Sequence, residues 1–454
     1  MLFMLKRLAV LLPVLWLLSV LVFGLSKWVD EDPVLRDITI SAARSVDNDP
    51  AAYDRAYRQA AQRAGLDKPV FYLSFGSAAE PDTLSRIVRY EQRQVQLSLL
   101  RRFGNWPALQ TYYNGVREIA YTRSDSVGIA ALELLLRSDP ARIEQKLAAS
   151  PLPSPVQESW RALADRASPG LLLLPTLRWY GTDNQYHRWL TDVLSGELGI
   201  STLDRRPVEE KIWPALRWTA LLNGIAIFLA YLISIPTGLY TAWYQGGRAD
   251  RFFSLGFLLL FSLPAFWAAT MLSSFLTTPA YGFDLFPTIG VGEVADGAGW
   301  WTYLTTRLHH LFLPVLCLTY PSLAFLTRQM REAARAEIGK DYVKTARMKG
   351  LGVHRVIWGH VFRNASFPII TLLASLLPAL LAGSVLIEII FNLPGMGRLL
   401  VDAARNSDWP VVMAITLLNG TLTVVGILLA DLGYRLADPR VGKPTSAVAN
   451  ANPL

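Results

Sequence analysis

Asp341-Tyr342-Val343-Lys344-Thr345-Ala346-Arg347-Met348-Lys349-Gly350-Leu351 is followed, after a turn, by His360-Val361-Phe362-Arg363-Asn364-Ala365-Ser366-Phe367-Pro368. The first stretch reads as a helix with the small Thr345 and Ala346 exposed for close approach. It ends at Gly350, which reaches positive φ without a Cβ clash. The second stretch predicts another helix over about 353–366. A solvated basic loop on an anionic membrane surface is the plain alternative, against which stand the length of the segment and its two-part pattern.

Working outward, the segment is flanked by apolar runs. Stretches of the roughly 18 to 25 residues that a helix needs to cross a hydrocarbon core occur at about 8–26, 216–244, 252–278, 308–328, 367–391 and 410–434. They predict an all-α membrane protein of six transmembrane helices. Pro13, Pro236, Pro264, Pro314, Pro321 and Pro378 interrupt these runs, which neighbouring helices tolerate where they satisfy the freed carbonyls. Such interruptions point to a packed bundle. Lys6 and Arg7 precede the first run, so a cleaved signal peptide competes with an anchor. Phe23-Gly24-Leu25-Ser26 lacks an A-x-A-like cleavage site, which favours the uncleaved anchor.

Charge sets the expected topology, because short cytoplasmic loops collect Lys and Arg. Residues 27–215 hold 24 basic and 24 acidic residues, so the net charge of +8 comes from elsewhere. Residues 328–366 carry nine basic against three acidic residues, and the N-terminus, the 245–251 loop and the C-terminus are each net basic as well. Both termini are then expected in the cytoplasm, with 27–215, 279–307 and 392–409 outside. Positive charge spread over alternate short loops disfavours nucleic acid as a partner. With 454 residues, 52% hydrophobic and 18% charged, the chain must divide between membrane and water. The single cysteine, Cys317, lies in an apolar run, so it forms no intrachain disulfide and reads as core packing.

Active accumulation needs an energy source, yet the chain carries no G-x-x-x-x-G-K-[ST], no H-E-x-x-H, no Cys/His metal spacing and no G-x-S-x-G. Gly339-Lys340 leads to Asp341, and Gly442-Lys443 to Pro444, so neither opens a phosphate loop. No enzyme activity and no cofactor or metal site is expected in this chain. Ion coupling usually needs ionisable groups deep in the helices. The candidates are Glu388 and Asp431, each near the end of its run, where structural pairing competes with a role in a substrate path.

The quoted stretches closely resemble the EAA loop of ABC importer permeases. The match is to the dipeptide and oligopeptide permeases and their nickel-transporting relatives, in which D-Y-x-x-T-A-R-x-K-G-L and H-x-x-R-N-A-x-x-P recur. The resemblance implies a permease of the type I ABC importer fold, with ATP and Mg bound by partner ATPase subunits. Tyr342, Thr345, Ala346, Arg347, Lys349 and Gly350 would form the ATPase-coupling surface, braced by His360, Arg363 and Asn364. The broad E-A-A-x-x-x-G pattern would put Glu at Lys344 and Ala at Thr345, and I-x-L-P fails at Phe362 and Arg363. Both departures look normal for the peptide branch.

Downstream, Glu388-Ile389-Ile390-Phe391-Asn392-Leu393-Pro394-Gly395-Met396-Gly397 resembles the family's E-x-x-F-x-L-P-G-x-G, and Asp438-Pro439-Arg440 resembles its closing motif. Leu393 to Gly397 cannot continue a helix. The resemblance makes Glu388, Pro394, Gly395 and Gly397 part of a translocation path or outer gate. Upstream, Ser234-Ile235-Pro236-Thr237-Gly238 and Leu263-Pro264-Ala265-Phe266-Trp267 look like family segments.

Gly65-Leu66-Asp67-Lys68-Pro69-Val70 and Gln185-Tyr186-His187-Arg188-Trp189-Leu190 resemble motifs that nearly adjoin in relatives. The intervening residues, about 74–184, read as an insertion. Helical spacing of Leu84, Ile87, Val88, Val95 and Leu99, then of Leu132, Leu134, Leu135, Leu136, Ile143 and Leu147, predicts a small all-helical extracytoplasmic domain of three to six helices. The expected layout is a first transmembrane helix (1–26), an extracytoplasmic region (27–215) holding the inserted domain, and a five-helix permease core (216–442). The core includes the coupling loop at about 330–366, and a cytoplasmic tail follows (443–454). Expected partners are ABC ATPase subunits, a second permease subunit that is a copy or a different chain, an extracytoplasmic solute-binding protein and the lipid bilayer. The expected location is the bacterial cytoplasmic (inner) membrane. Peptides are the favoured substrate, with nickel chelates or another small solute left open. A membrane-anchored receptor and an ion-coupled secondary transporter are the competing functions.

Overall fold

The computed structural model describes residues 2–28, 50–63, 65–81, 90–287, 289–295, 297–370, 372 and 385–437. In chain order these form α1 (Leu2–Trp28), α2 (Pro50–Arg63), β1 (Leu73–Ser77), α3 (Tyr90–Phe103), α4 (Trp106–Thr122), α5 (Ser126–Leu135), α6 (Pro140–Ala149) and α7 (Ser154–Asp165). There follow β2 (Pro175–Trp179), α8 (Gln185–Leu194), α9 (Val208–Trp243), α10 (Arg248–Ser262), α11 (Ala265–Leu276) and α12 (Trp300–Ile338). The chain continues with α13 (Asp341–Met348), α14 (353–370), α15 (Val385–Ile390), α16 (Met396–Arg405) and α17 (Trp409–Ala437). Two compact units result, Lys27–Gly196 and the remainder.

Among the described residues of the larger unit, α1, α9, α12 and α17 are each long and apolar enough to cross a membrane. The bent pair α10 and α11 makes a fifth candidate if counted as one span. The span expected over 252–278, with Pro264 interrupting it, is broken at Leu263-Pro264 by a 90° bend. Proline forces its predecessor into extended backbone and has no N–H to give, and the Tyr320 hydroxyl takes over the Leu263 carbonyl at 2.9 Å. The run expected at 308–328 belongs to a longer helix, so residues 330–338 continue α12 and are not loop. Most of the expected span at 367–391 lies outside the described residues, as do the tail 443–454 and Asp438 to Arg440.

The centre of this unit is the pairing of α9 with α12. A Cβ on Gly238 would stand 2.6 Å from Met330 Cβ, so glycine is what lets the two backbones close up. Hydroxyls stitch the same seam: Ser234 Oγ donates to Leu323 O at 3.2 Å and Thr319 Oγ1 to Ala226 O at 3.4 Å. Cys317 is buried in an apolar cluster with Leu222, Leu313 and Phe391. At Gly420 of α17, Leu18 of α1 fills the place a Cβ would take.

In the unit 27–196, α3 to α7 close around Leu99, Leu109, Tyr112, Leu134, Ile143, Trp160 and Leu163. Asn105, Asp125 and Asp139 cap α4, α5 and α6 by accepting backbone N–H bonds, with proline in the first turn of α4 and α6. The unit is not all-helical. β1 and β2 pair antiparallel, with Leu73 opposite Trp179 and Phe75 opposite Leu177, a contact between strands about a hundred residues apart that local periodicity does not announce. Behind the strands, Tyr180 N donates to Tyr72 O at 2.9 Å, Gln185 N to Pro69 O at 2.8 Å and Tyr186 N to Val70 O at 3.2 Å. The two motifs that flank 74–184 therefore lie side by side.

Candidate functional site

The basic segment folds as an elbow. Helix α13 ends at Met348, and Gly350 takes φ +76 with open space where a Cβ would point. Val353 then starts α14, which contains a π-helical turn at Ile357–Val361. Val343, Ala346, Val356, Ile357, Val361 and Ala365 form one buried cluster with Leu239 and Ala242 of α9 and Met330 and Ala334 of α12. Two membrane helices thus grip the elbow directly through close-packed side chains.

This geometry divides the predicted coupling residues. Ala346 is 4% exposed and faces inward, against the expectation that it lies open for close approach. Helical phase explains the difference: Val343 and Ala346 are three apart and share the apolar face, which leaves Thr345 on the other side. Thr345, Arg347, Lys349 and Gly350 are exposed, as is Met348 at 80%. Of the predicted braces, His360 is half-buried in the π turn, and Arg363 and Asn364 are exposed. Val361 and Ala365 fill the core positions on the same helix.

Glu337, which the sequence did not single out, anchors the elbow's polar side. The Tyr342 hydroxyl donates to Glu337 Oε2 at 2.5 Å, and Lys340 Nζ to Glu337 Oε1 at 2.6 Å. Burial, and then the bond to Glu337, holds the Tyr342 phenol above its ordinary range, with Asn364 opposing. Lys344 donates to Asp341 at 2.9 Å and holds that carboxyl below the usual carboxylate range. The Arg347 guanidinium lies 4.1 Å from the centre of the Trp243 ring, an attraction worth about 0.5–1 kcal/mol when exposed.

A second site is built on Leu393-Pro394-Gly395-Met396-Gly397. Glu388 is 2% exposed and turns its carboxylate onto this turn. Oε1 accepts from Thr219 Oγ1 at 3.0 Å and Oε2 from Arg398 N at 2.9 Å, while Met396 N donates to Thr219 Oγ1 at 2.8 Å. Glu388 and Thr219 thus cap the N-terminus of α16, whose free N–H groups favour an anion. A Cβ on Gly395 would overlap the Glu388 carboxyl group, and one on Gly397 would come within 2.8 Å of Val385 Cα. The predicted Glu388, Gly395 and Gly397 are therefore brought together, with Pro394 beside them, and Glu388 is fully engaged within the chain. Asp431 lies where no side chains are described.

A third cluster pins the loop before α9 to the start of α17. Asp408, 1% exposed, accepts from Ser201 Oγ at 2.5 Å and from Thr202 N at 2.9 Å. Lys211 Nζ reaches Asp408 at 3.4 Å and Asp204 at 3.2 Å. Among the described residues no three His, Cys, Asp or Glu side chains gather as a metal would require.

Residues 234–443 match the family described as the binding-protein-dependent transport system inner membrane component. The chain is 36% identical over 258 residues to the oligopeptide transport system permease protein AppB of Bacillus subtilis, covering 57% of this chain and 79% of that protein. It is 34% identical over 279 residues to the dipeptide transport system permease protein DppB of Escherichia coli K12, covering 57% and 80%. To the inner membrane ABC transporter permease protein YejB of Escherichia coli O157:H7 it is 35% identical over 274 residues, covering 58% and 73%.

Proposed function

The chain belongs to the binding-protein-dependent transport system inner membrane components, and on that premise we propose how it works as a permease subunit of a peptide ABC importer. ATP and Mg bind separate ATPase subunits, and the exposed edge of α13, with Thr345, Arg347, Met348 and Lys349, docks on them. Supporting this is the way α13 rests on a buried cluster shared with α9 and α12. A movement imposed on α13 then biases the bundle between inward-open and outward-open states, as any ligand must by binding one state better than the other.

A second permease subunit completes the path, and an extracytoplasmic binding protein delivers the peptide. The elbow and both termini face the cytoplasm of a bacterial inner membrane, and the unit 27–196 lies outside. Residues 74–184 are an inserted domain, a reading supported by the hydrogen bonds that join Pro69 and Val70 to Gln185 and Tyr186. The Glu388-capped turn forms part of the outer gate. Similarity to peptide permeases over most of their length leaves a receptor or an ion-coupled carrier without support.

The test is purification through this subunit, intact-complex mass spectrometry, and uptake by Gly350→Asp. The expected result is a bound ATPase in the wild type, and a variant that inserts and binds ATP-hydrolysing partners but fails to import. A lone chain that drives gradient-powered flux would overturn the proposal.

A further inference from the structure

Arg307 lies seven residues into α12 with its charge unmatched. Nη1 donates to Val291 O at 2.7 Å, and the guanidinium sits 5.2 Å from the centre of the Trp218 ring and 5.1 Å from that of Tyr303. Nε is buried without a hydrogen-bond partner, and Arg307 forms no ion pair with any carboxylate among the described residues. Among the described residues neither Nε nor Nη2 has a protein acceptor, and these are the parallel N–H donors that fit a carboxylate bidentately once the atoms covering Nε move aside. A buried donor without an acceptor is costly, and an unpaired cation within a membrane helix marks a functional site by default.

The surroundings point inward to the gate. Trp218 adjoins Thr219, which holds Glu388 and Met396, and on the Val291 side Gly290 N donates to Phe391 O at 2.9 Å. Trp300 and Trp301 are exposed, as rings at the headgroup level are. Arg307 lies about 9 Å further along the helix, and its charge is held against α9.

We propose that Arg307, caged by Trp218 and Tyr303, is a binding residue for a carboxylate of the transported peptide as it passes the gate. The proposal rests on the peptide-permease reading. A lipid phosphate offers similar anionic oxygens and is the source the test must separate.

The experiment uses the importer assembled with its ATPases, as wild type, Arg307→Gln and Arg307→Lys. Binding of alanyl-alanine and of alanyl-alaninamide is followed by saturation-transfer NMR without binding protein. Uptake of alanyl-alanine with binding protein is measured in vesicles of phosphatidylcholine, with and without phosphatidylglycerol. The free acid should bind the wild type, the amide should not, and Arg307→Gln should lose acid binding and about tenfold in uptake, the worth of one charge-assisted hydrogen bond. Arg307→Lys should fall between, since its point charge lacks the two-pronged edge.

Absence of acid binding to the wild type overturns the proposal, as does equal binding of acid and amide. Reduced uptake with unchanged acid binding would make Arg307 a brace of the 289–295 loop through Val291. An effect seen only with phosphatidylglycerol would assign it to lipid. Failure of the peptide-permease reading looks different: the wild type then shows no ATP-dependent uptake at all.

Discussion

Thr219 and Glu388, 169 residues apart in sequence, share a buried hydrogen bond of 3.0 Å between Oγ1 and Oε1. The bond ties α9 to α15, and the same two side chains receive the N–H groups of Met396 and Arg398. Glu388→Gln preserves volume but exchanges a charged acceptor of the Thr219 and Arg398 bonds for a neutral amide, which weakens both in a buried site. The expected loss is about 1–3 kcal/mol of stability, measured as a fall in the thermal midpoint of the purified complex. An unchanged midpoint in Glu388→Gln would place the carboxylate elsewhere. Gly395→Ala should also destabilise, because its Cβ overlaps the Glu388 carboxyl.

Ala346 and Thr345 are neighbours with opposite surroundings, one buried against Met330 and Ala334 and the other exposed. Ala346→Glu should lower the yield of folded protein, since it forces an unpaired charge into an apolar cluster. Thr345→Glu should leave yield and thermal midpoint intact while weakening association with the ATPase. Detergent-solubilised yield and copurified ATPase, measured on the same samples, separate the two.

Asp408 is the common acceptor for Ser201, Thr202 and Lys211. Asp408→Ala leaves these donors behind in a buried site, although Lys211 keeps Asp204. A loss of about 3 kcal/mol is expected, the lower end for breaking a buried pair. Amide exchange should rise in residues 200–207 and at the start of α17 and stay unchanged in α3 to α7.

In the helical unit, Glu133 is held below the usual carboxylate range, first by its bond to Lys146 at 2.8 Å and then by Arg137 at 3.3 Å. A carboxyl lowered in the folded state contributes stability that is present above its unfolded value and lost as pH falls through the lowered one. Protection factors of the amides at the junction of α5 and α6, which allow for the slower intrinsic exchange in acid, should therefore fall on acidification below the ordinary Glu range. Glu133→Gln should remove that pH dependence, and a dependence that survives it would belong to Asp125, which Arg123 and Gly128 also hold low.

Sequence alone determined the features with a local cause. Apolar length marked α1, α9, α12, α17 and the bent pair α10 and α11 as candidate membrane helices, Gly350 ended α13 because only glycine takes positive φ freely, and Pro394 with its glycines fixed a turn where no helix can run. The motif resemblance also located the elbow and the glycine turn that the structure then supports with packing and caps.

Tertiary structure decided everything that depends on distant partners. It turned Ala346 inward and Thr345 outward, because the helical phase of α13 is set by α9 and α12. It gave the Leu263 carbonyl, freed at the proline break, to the Tyr320 hydroxyl, and it paired β1 with β2 across the helices between them. It also gave Glu388 to Thr219 and left Arg307 without a carboxylate among the described residues. A residue's backbone preference is written in its neighbours, whereas the partner of a buried charge is chosen by whatever the folded chain brings within 3 or 4 Å, about the length of a hydrogen bond or ion pair.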